Sequence, residues 1–183
     1  SSTVVAEVVG RILNITAEPA NITLGNSTVV VNLTDGETGV ALVGQVVIIK
    51  LPNGTEVNGT IAADGSVEVH VDLAVGNYTL PVRYDGNMTY NGTSTTVGIV
   101  ILPRASEIIG EVSDNVACNV TIVATVTDVE TGEAVPNGPV VAKVNGTEVG
   151  AGEVVDGVVT VLTNLDKAGN YDVVLEYLGN ENY

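Results

Sequence analysis

Apolar and polar residues alternate along most of this chain with a period of two. Val29, Val31 and Leu33 alternate with Thr28, Val30 and Asn32, and Tyr78, Leu80, Val82 and Tyr84 with Thr79, Pro81 and Arg83. A strand sends successive side chains to opposite faces, so this pattern marks half-buried β-strands. Asn-Gly and Asp-Gly pairs between the runs supply turns. The pattern predicts strands at 12–18, 27–34, 45–51, 56–62, 66–73, 77–84 and 94–102. It predicts further strands near 105–112, 119–127, 139–144, 148–155, 158–164 and 170–177. No segment carries a helical period. Six or seven short strands in each half predict an all-β fold of two sandwiches.

The halves repeat with an offset of 93. Asp35-Gly-Glu37-Thr38-Gly39 returns as Asp128-Val-Glu130-Thr131-Gly132, and Gly76-Asn77-Tyr78 returns as Gly169-Asn170-Tyr171. Tyr84 and Tyr90 return as Tyr177 and Tyr183. The offset slips by one near the middle strands, where Asn53-Gly54-Thr55-Glu56-Val57 returns as Asn145-Gly146-Thr147-Glu148-Val149. Such dense repetition means two copies of one supersecondary plan. Leu73 to Tyr78 and Leu165 to Tyr171 each have the form of a tyrosine corner, in which a Tyr opening a strand bonds back to the preceding corner.

The run Tyr84-Asp85-Gly86-Asn87-Met88-Thr89-Tyr90-Asn91-Gly92-Thr93-Ser94, following Gly76-Asn77-Tyr78-Thr79, resembles the end of bacterial-type Ig-like repeats of archaeal and bacterial adhesin-like surface proteins. The resemblance covers both copies. It implies Ig-like sandwiches that serve as stalk or binding modules, and it implies a ligand poorly.

In such a repeat the strand after this run, here 94–102, closes its own sandwich. The second copy stops at Tyr183, the counterpart of Tyr90, before that strand. Residues 2–11 instead align with 95–104 at the same offset. The expected organisation is therefore a donor strand at 1–10, a first Ig-like domain at 11–103, and a second at 104–183 that lacks its last strand. Glu7 outward places Val4, Ala6 and Val8 inward, where Val97, Ile99 and Ile101 sit in the first copy. The acceptor groove is expected on Tyr171, Val173, Leu175 and Tyr177 of another copy. This is strand addition to a sheet edge, and its logic resembles donor-strand pili and archaeal thread-like filaments. Identical subunits joined head to tail are the expected partners, with neighbouring filaments or cell surfaces as further contacts. The alternative is a two-repeat stretch of a longer adhesin stalk.

Composition places this plan outside a cell. Asn-x-Ser/Thr occurs at Asn14, Asn21, Asn26, Asn32, Asn53, Asn58, Asn77, Asn87, Asn91, Asn119 and Asn145. Ser and Thr make up 27 of 183 residues, so about 2.5 of the 17 asparagines would precede one at that spacing by chance. The excess points to N-linked glycans on a secreted surface protein. With one Cys and few basic residues, an archaeal surface suits better than a eukaryotic secreted one. The formal net charge of -16 repels phosphate backbones and argues against nucleic acid. No apolar run is long enough for membrane insertion as a helix.

No catalytic set stands out and no cofactor is expected besides glycans. His70 sits between strand valines, Lys50 and Lys143 end equivalent strands, and Cys118 aligns with the turn residue Gly25 as a small, semi-buried residue. The acidic turn residues Asp35, Glu37, Asp64 and Asp85 are candidate calcium ligands, since hard oxygen donors at one pole of a sandwich suit that ion. Asp128, Glu130, Asp156 and Glu181 repeat the pattern.

Overall fold

The computed structural model describes residues 3–116 and 118–183. The chain divides into two compact units, Ser1–Leu102 and Pro103–Tyr183. Both are built of antiparallel strands, as the period-two pattern requires, and no helix among the described residues is long and apolar enough to cross a membrane.

The first unit is a sandwich of two sheets. One holds β1 (Leu13–Asn21), β2 (Thr28–Asp35) and β5 (Ser66–His70) in the order β1-β2-β5. The other holds β3 (Val46–Lys50), β4 (Glu56–Thr60), β6 (Gly76–Tyr84) and β7 (Thr93–Ile101) in the order β4-β3-β6-β7. The inward members of each alternation meet between the sheets. Val29, Val31 and Leu33 from β2 face Val47, Ile49, Leu80 and Val82, all fully buried. Burying a Val, Leu or Ile contributes about 1.5–3 kcal/mol each, so this layer holds the unit together.

The second unit repeats the order with β8 (Ser106–Val116), β9 (Asn119–Asp128), β10 (Asn137–Val144), β11 (Thr147–Val155), β12 (Val158–Thr163) and β13 (Val173–Tyr177). These form one folded-over sheet, β13-β10-β11-β12-β9-β8, around Val126, Val140, Ala142, Val159 and Val161. The sheets join here because β11 runs on into a two-residue hairpin. Asp156 and Gly157 both take positive φ, 49° and 82°, and Val155 pairs with Val158. That is the turn that keeps two strands in one twisted ribbon. In the first unit Gly65 alone of the Asp64-Gly65 pair has positive φ, and β4 pairs with β3 only.

The repeat also places polar groups alike. Asp35 and Asp128 are buried at the ends of β2 and β9. Each accepts two backbone amides, from Glu37 and Thr38 at 3.0 and 2.9 Å and from Glu130 and Thr131 at 2.8 and 2.9 Å. Each is also paired with an arginine at offset 93, Arg11 at 2.8 Å and Arg104 at 2.6 Å. A buried carboxylate must be paired and hydrogen-bonded to be tolerated, and both are.

Candidate functional site: an open edge in the second sandwich

The first unit shows what a completed edge looks like. β7 pairs with β6 along its whole length, from Gly76↔Ile101 to Tyr84↔Thr93. Its inward residues Val97, Ile99 and Ile101 are 3%, 2% and 1% exposed and belong to the core. Beyond β7, the Leu102 amide donates to the Ile22 carbonyl at 2.7 Å, and the Leu24 amide donates to the Leu102 carbonyl at 3.0 Å. The segment after β1 is thereby drawn onto the closing strand.

No described strand of the second unit occupies that position. β13 pairs with β10 on one side, Val173↔Val144 to Tyr177↔Val140, and its other edge is open. The sequence predicts this strand from residue 170, whereas it begins at Val173. The reason is visible in β6, which pairs with β3 only at Val82 and Arg83 and is held in register along the rest by β7. Without such a partner, residues 170–172 lack a ladder. Leu80, Val82 and Tyr84 are buried in the first unit, while their counterparts Val173, Leu175 and Tyr177 are half-buried. Tyr171 is exposed.

Two adjoining clefts mark the gap, the larger about 480 Å³ and the other about 310 Å³. Tyr171, Val173 and Val112 line both, and Leu175, Gly110 and Ile122 line the smaller. Gly110, Val112 and Ile122, on β8 and β9, complete the site and are absent from the sequence-based acceptor set. Their signal lay in the repeat itself, because they stand at offset 93 from Ala17, Pro19 and Val29. The walls are mixed: Val112, 59% exposed, and Val120 and Leu165 supply apolar surface, while Asn115, Lys167 and Asn170 line the larger cleft as well.

Residues 3–9 have no strand partner among the described residues, and Val4, Val5, Val8 and Val9 are strongly exposed. Ordered pairing begins at Arg11, whose amide donates to the Thr89 carbonyl at 2.9 Å, while Asn91 donates from Nδ2 to the Gly10 carbonyl at 2.9 Å. The Arg104 amide repeats this on Asn182 at 2.8 Å.

Both tyrosine corners are formed. The Tyr78 hydroxyl donates to the Ala74 carbonyl at 3.0 Å, and the Tyr171 hydroxyl to the Lys167 carbonyl at 2.9 Å. The Tyr171 ring is therefore anchored beside the open edge even with that edge empty.

The acidic turn residues are not gathered into a cation site. Among the described residues no three His, Cys, Asp or Glu side chains stand close enough to share a metal. Asp35 is occupied by Arg11, which also reaches Glu37 at 3.4 Å. Asp64 accepts the Ser66 amide at 3.0 Å, and Asp85 pairs with Arg83. Asp35, a candidate calcium ligand in the sequence, is buried and paired with a repeated arginine. Lys143 pairs with Glu176, while Lys50 and His70 are exposed. Cys118 is exposed rather than semi-buried, and holds φ at 68° because it occupies the place of Gly25, whose φ is 80°.

Asn21 is half-buried, and the other sequon asparagines, including Asn32, Asn53, Asn77 and Asn87, are exposed.

No family model and no curated protein matches the chain. Among solved structures it is similar to a Ca²⁺-stabilized adhesin with which an Antarctic bacterium reaches out and binds ice, at 19% identity and a TM-score of 0.31, covering 93% of this chain and 48% of that one. It is also similar to a tetra-tandem repeat in the extending region of a large adhesion protein, at 22% identity and a TM-score of 0.39, covering 93% and 50%. The BSP domain of a biofilm-associated protein is similar at 20% identity and a TM-score of 0.31, covering 88% and 26%. The chain spans half or less of the length of each.

Proposed function

We propose that this chain is a structural module of an extracellular, N-glycosylated surface assembly, joined head to tail by strand complementation. Residues 3–10 of one copy enter the open edge of another copy's second sandwich and pair antiparallel with residues 170–177. The observation that carries this reading is a match between a vacancy and a spare part. The first unit has a strand where the second has a cleft, and residues 3–9, which align with that strand, have no strand partner among the described residues. An unpaired edge flanked by apolar side chains is a template for another strand. The role is mechanical rather than chemical.

A second reading has its own support in the tandem repeat. Two sandwiches of one plan in series are what a stretch of a longer adhesin-like stalk would contain, with the closing strand supplied by the same protein. The two readings separate on the whole chain and on a chain lacking residues 1–10, compared by sedimentation velocity and negative-stain imaging. Filaments from the first and none from the second support complementation between copies. Equal assembly of both leaves the stalk reading in its place.

The glycan assignment rests on the sequon excess and on the exposure of those asparagines. In protein from its native source, peptides carrying the sequons should be heavier than their sequences by the mass of a glycan. Sequon peptides at the masses of their bare sequences reject it.

A further inference from the structure

The open edge differs in shape from the closed one, and the difference matches the difference between the two strands. At offset 93, Val97, Ile99 and Ile101 of β7 correspond to Val4, Ala6 and Val8. The spare strand is the slimmer one, by three side-chain carbons at its middle and one at its end. The second unit carries larger side chains where that room is lost. The floor residues Ser27 and Val29 become Val120 and Ile122; Val120 lines the larger cleft and Ile122 the smaller. Ile122 is 3% exposed and paired with Val112, as Val29 is with Pro19. By the register of β6 with β7, the residue at position 6 falls opposite Tyr171, where Ile99 falls opposite Tyr78.

Towards position 4 the walls are trimmed, since Leu80 becomes Val173 and Ala17 becomes Gly110. Leu175, in place of Val82, fills that end: its Cδ1 occupies the place a Cβ on Gly110 would take. Position 4 is Val in both strands, so no change of donor size is needed there.

From this, and resting on the complementation reading, we propose that the open edge is selective by size. It accepts the small-centred strand Val4-Ala6-Val8 of a second copy and rejects a strand with the β7 sequence. Such a preference keeps β7 of another copy out of the second unit's edge and leaves that edge to residues 3–10, which directs assembly into the head-to-tail form. Tight cores resist added carbons because neighbouring side chains must leave their rotamers.

The test uses the full-length Val8→Asp chain, whose own donor strand is disabled, as acceptor. The probes are synthetic peptides of residues 3–10, the same peptide carrying Ala6→Ile, and residues 93–102, each titrated by calorimetry. The 3–10 peptide should bind at least about tenfold more tightly than either of the others, as overpacking by this many carbons commonly costs. Ile122→Val in the acceptor should recover most of the loss for the Ala6→Ile peptide. Equal binding of all three peptides, or no recovery with Ile122→Val in an acceptor that still binds 3–10, overturns size selection and leaves complementation standing. Failure of every peptide to bind overturns complementation itself.

Discussion

Replacing Val8 by Asp should abolish assembly while leaving both sandwiches folded. In the free chain Val8 is 93% exposed, so the substitution removes no native contact. In the complemented edge it would stand where Ile101 is 1% exposed in the first unit. Two losses then add. The valine's burial, about 1.5–3 kcal/mol, is gone. A carboxylate without a partner must also be desolvated or protonated, at a cost of several kcal/mol. Together they exceed about 4 kcal/mol, or roughly a thousandfold in the dissociation constant. Lys167 lines the larger cleft and could offer a counter-charge. Val8→Asn, which cannot use it, is therefore the companion variant and should fail as well. Glu7→Gln is the control, because position 7 corresponds to the outward Val100, 48% exposed. Sedimentation velocity should find monomers for both position-8 variants and wild-type polymer for Glu7→Gln. Polymer from Val8→Asp and Val8→Asn at wild-type length would refute the inward placement of Val8, and with it the register derived from the repeat.

Tyr78→Phe should lower the urea stability of the first unit by about 1 kcal/mol, the net value of one hydroxyl-to-carbonyl hydrogen bond, and an unchanged midpoint would deny the corner a stabilising role. Tyr171→Phe should do the same in the second unit and also weaken binding of the 3–10 peptide, because the ring it anchors lines the cleft. In acid, both aspartates should contribute a loss of stability. The Thr38 amide above all, then the Glu37 amide and Arg11, outweigh burial and hold the Asp35 carboxyl below its ordinary value of 3.8. For Asp128 burial opposes ionisation, but the Thr131 and Glu130 amides and Arg104 overcome it, and its pKa is also lowered from 3.8. A folded-state pKa below the unfolded one gives stability that is complete above about pH 4 and lost as pH falls through the lowered value. Denaturation midpoints should be level from neutral pH down to that range and then drop; Arg104→Gln, which brings the folded Asp128 value back towards the unfolded one, should make the drop smaller and end it at a higher pH, and an unchanged profile would separate Arg104 from Asp128.

The strands were legible because each needs only its own alternation. The apolar members of β2 and β6 lie on one face whatever their neighbours do, and a period of two reports that directly. The tyrosine corners were legible for a similar reason, since Tyr78 and Tyr171 reach carbonyls only four residues back. Features set by distant partners were harder to read. Asp64-Gly65 and Asp156-Gly157 are the same dipeptide, yet only the second makes the tight hairpin that fuses two sheets into one. Asp35 and Asp128 look like ordinary turn acids until Arg11 and Arg104 are seen to repeat with them. A charge of each sign repeated at one offset was the signal that each carboxylate is paired.

The start of β13 shows the same distinction at the site itself. Residues 170–177 carry the alternation of a full strand, and the sequence predicts one. Only Val173–Tyr177 forms, because β10 reaches no further and nothing pairs with the other edge. Local pattern states what a segment is suited to become; a ladder partner determines whether it does. The same holds for residues 3–10, which have the pattern of a strand and the exposure of a free segment. Two segments of strand pattern that remain unpaired, at matching positions of one repeat, lose their vacant hydrogen-bonding groups and exposed valines in a single step if they meet. The Tyr171 corner lets that step begin on a prepared surface. Its ring is already fixed to the Lys167 carbonyl, so ordering costs fall mainly on the entering strand, at about 1–2 kcal/mol for each residue fixed. Those costs are similar in size to the ladder bonds and buried valines gained. Under the complementation proposal, edge pairing alone would leave exchange reversible, and the fit at position 6 would be where a modest difference in packing decides which strand stays.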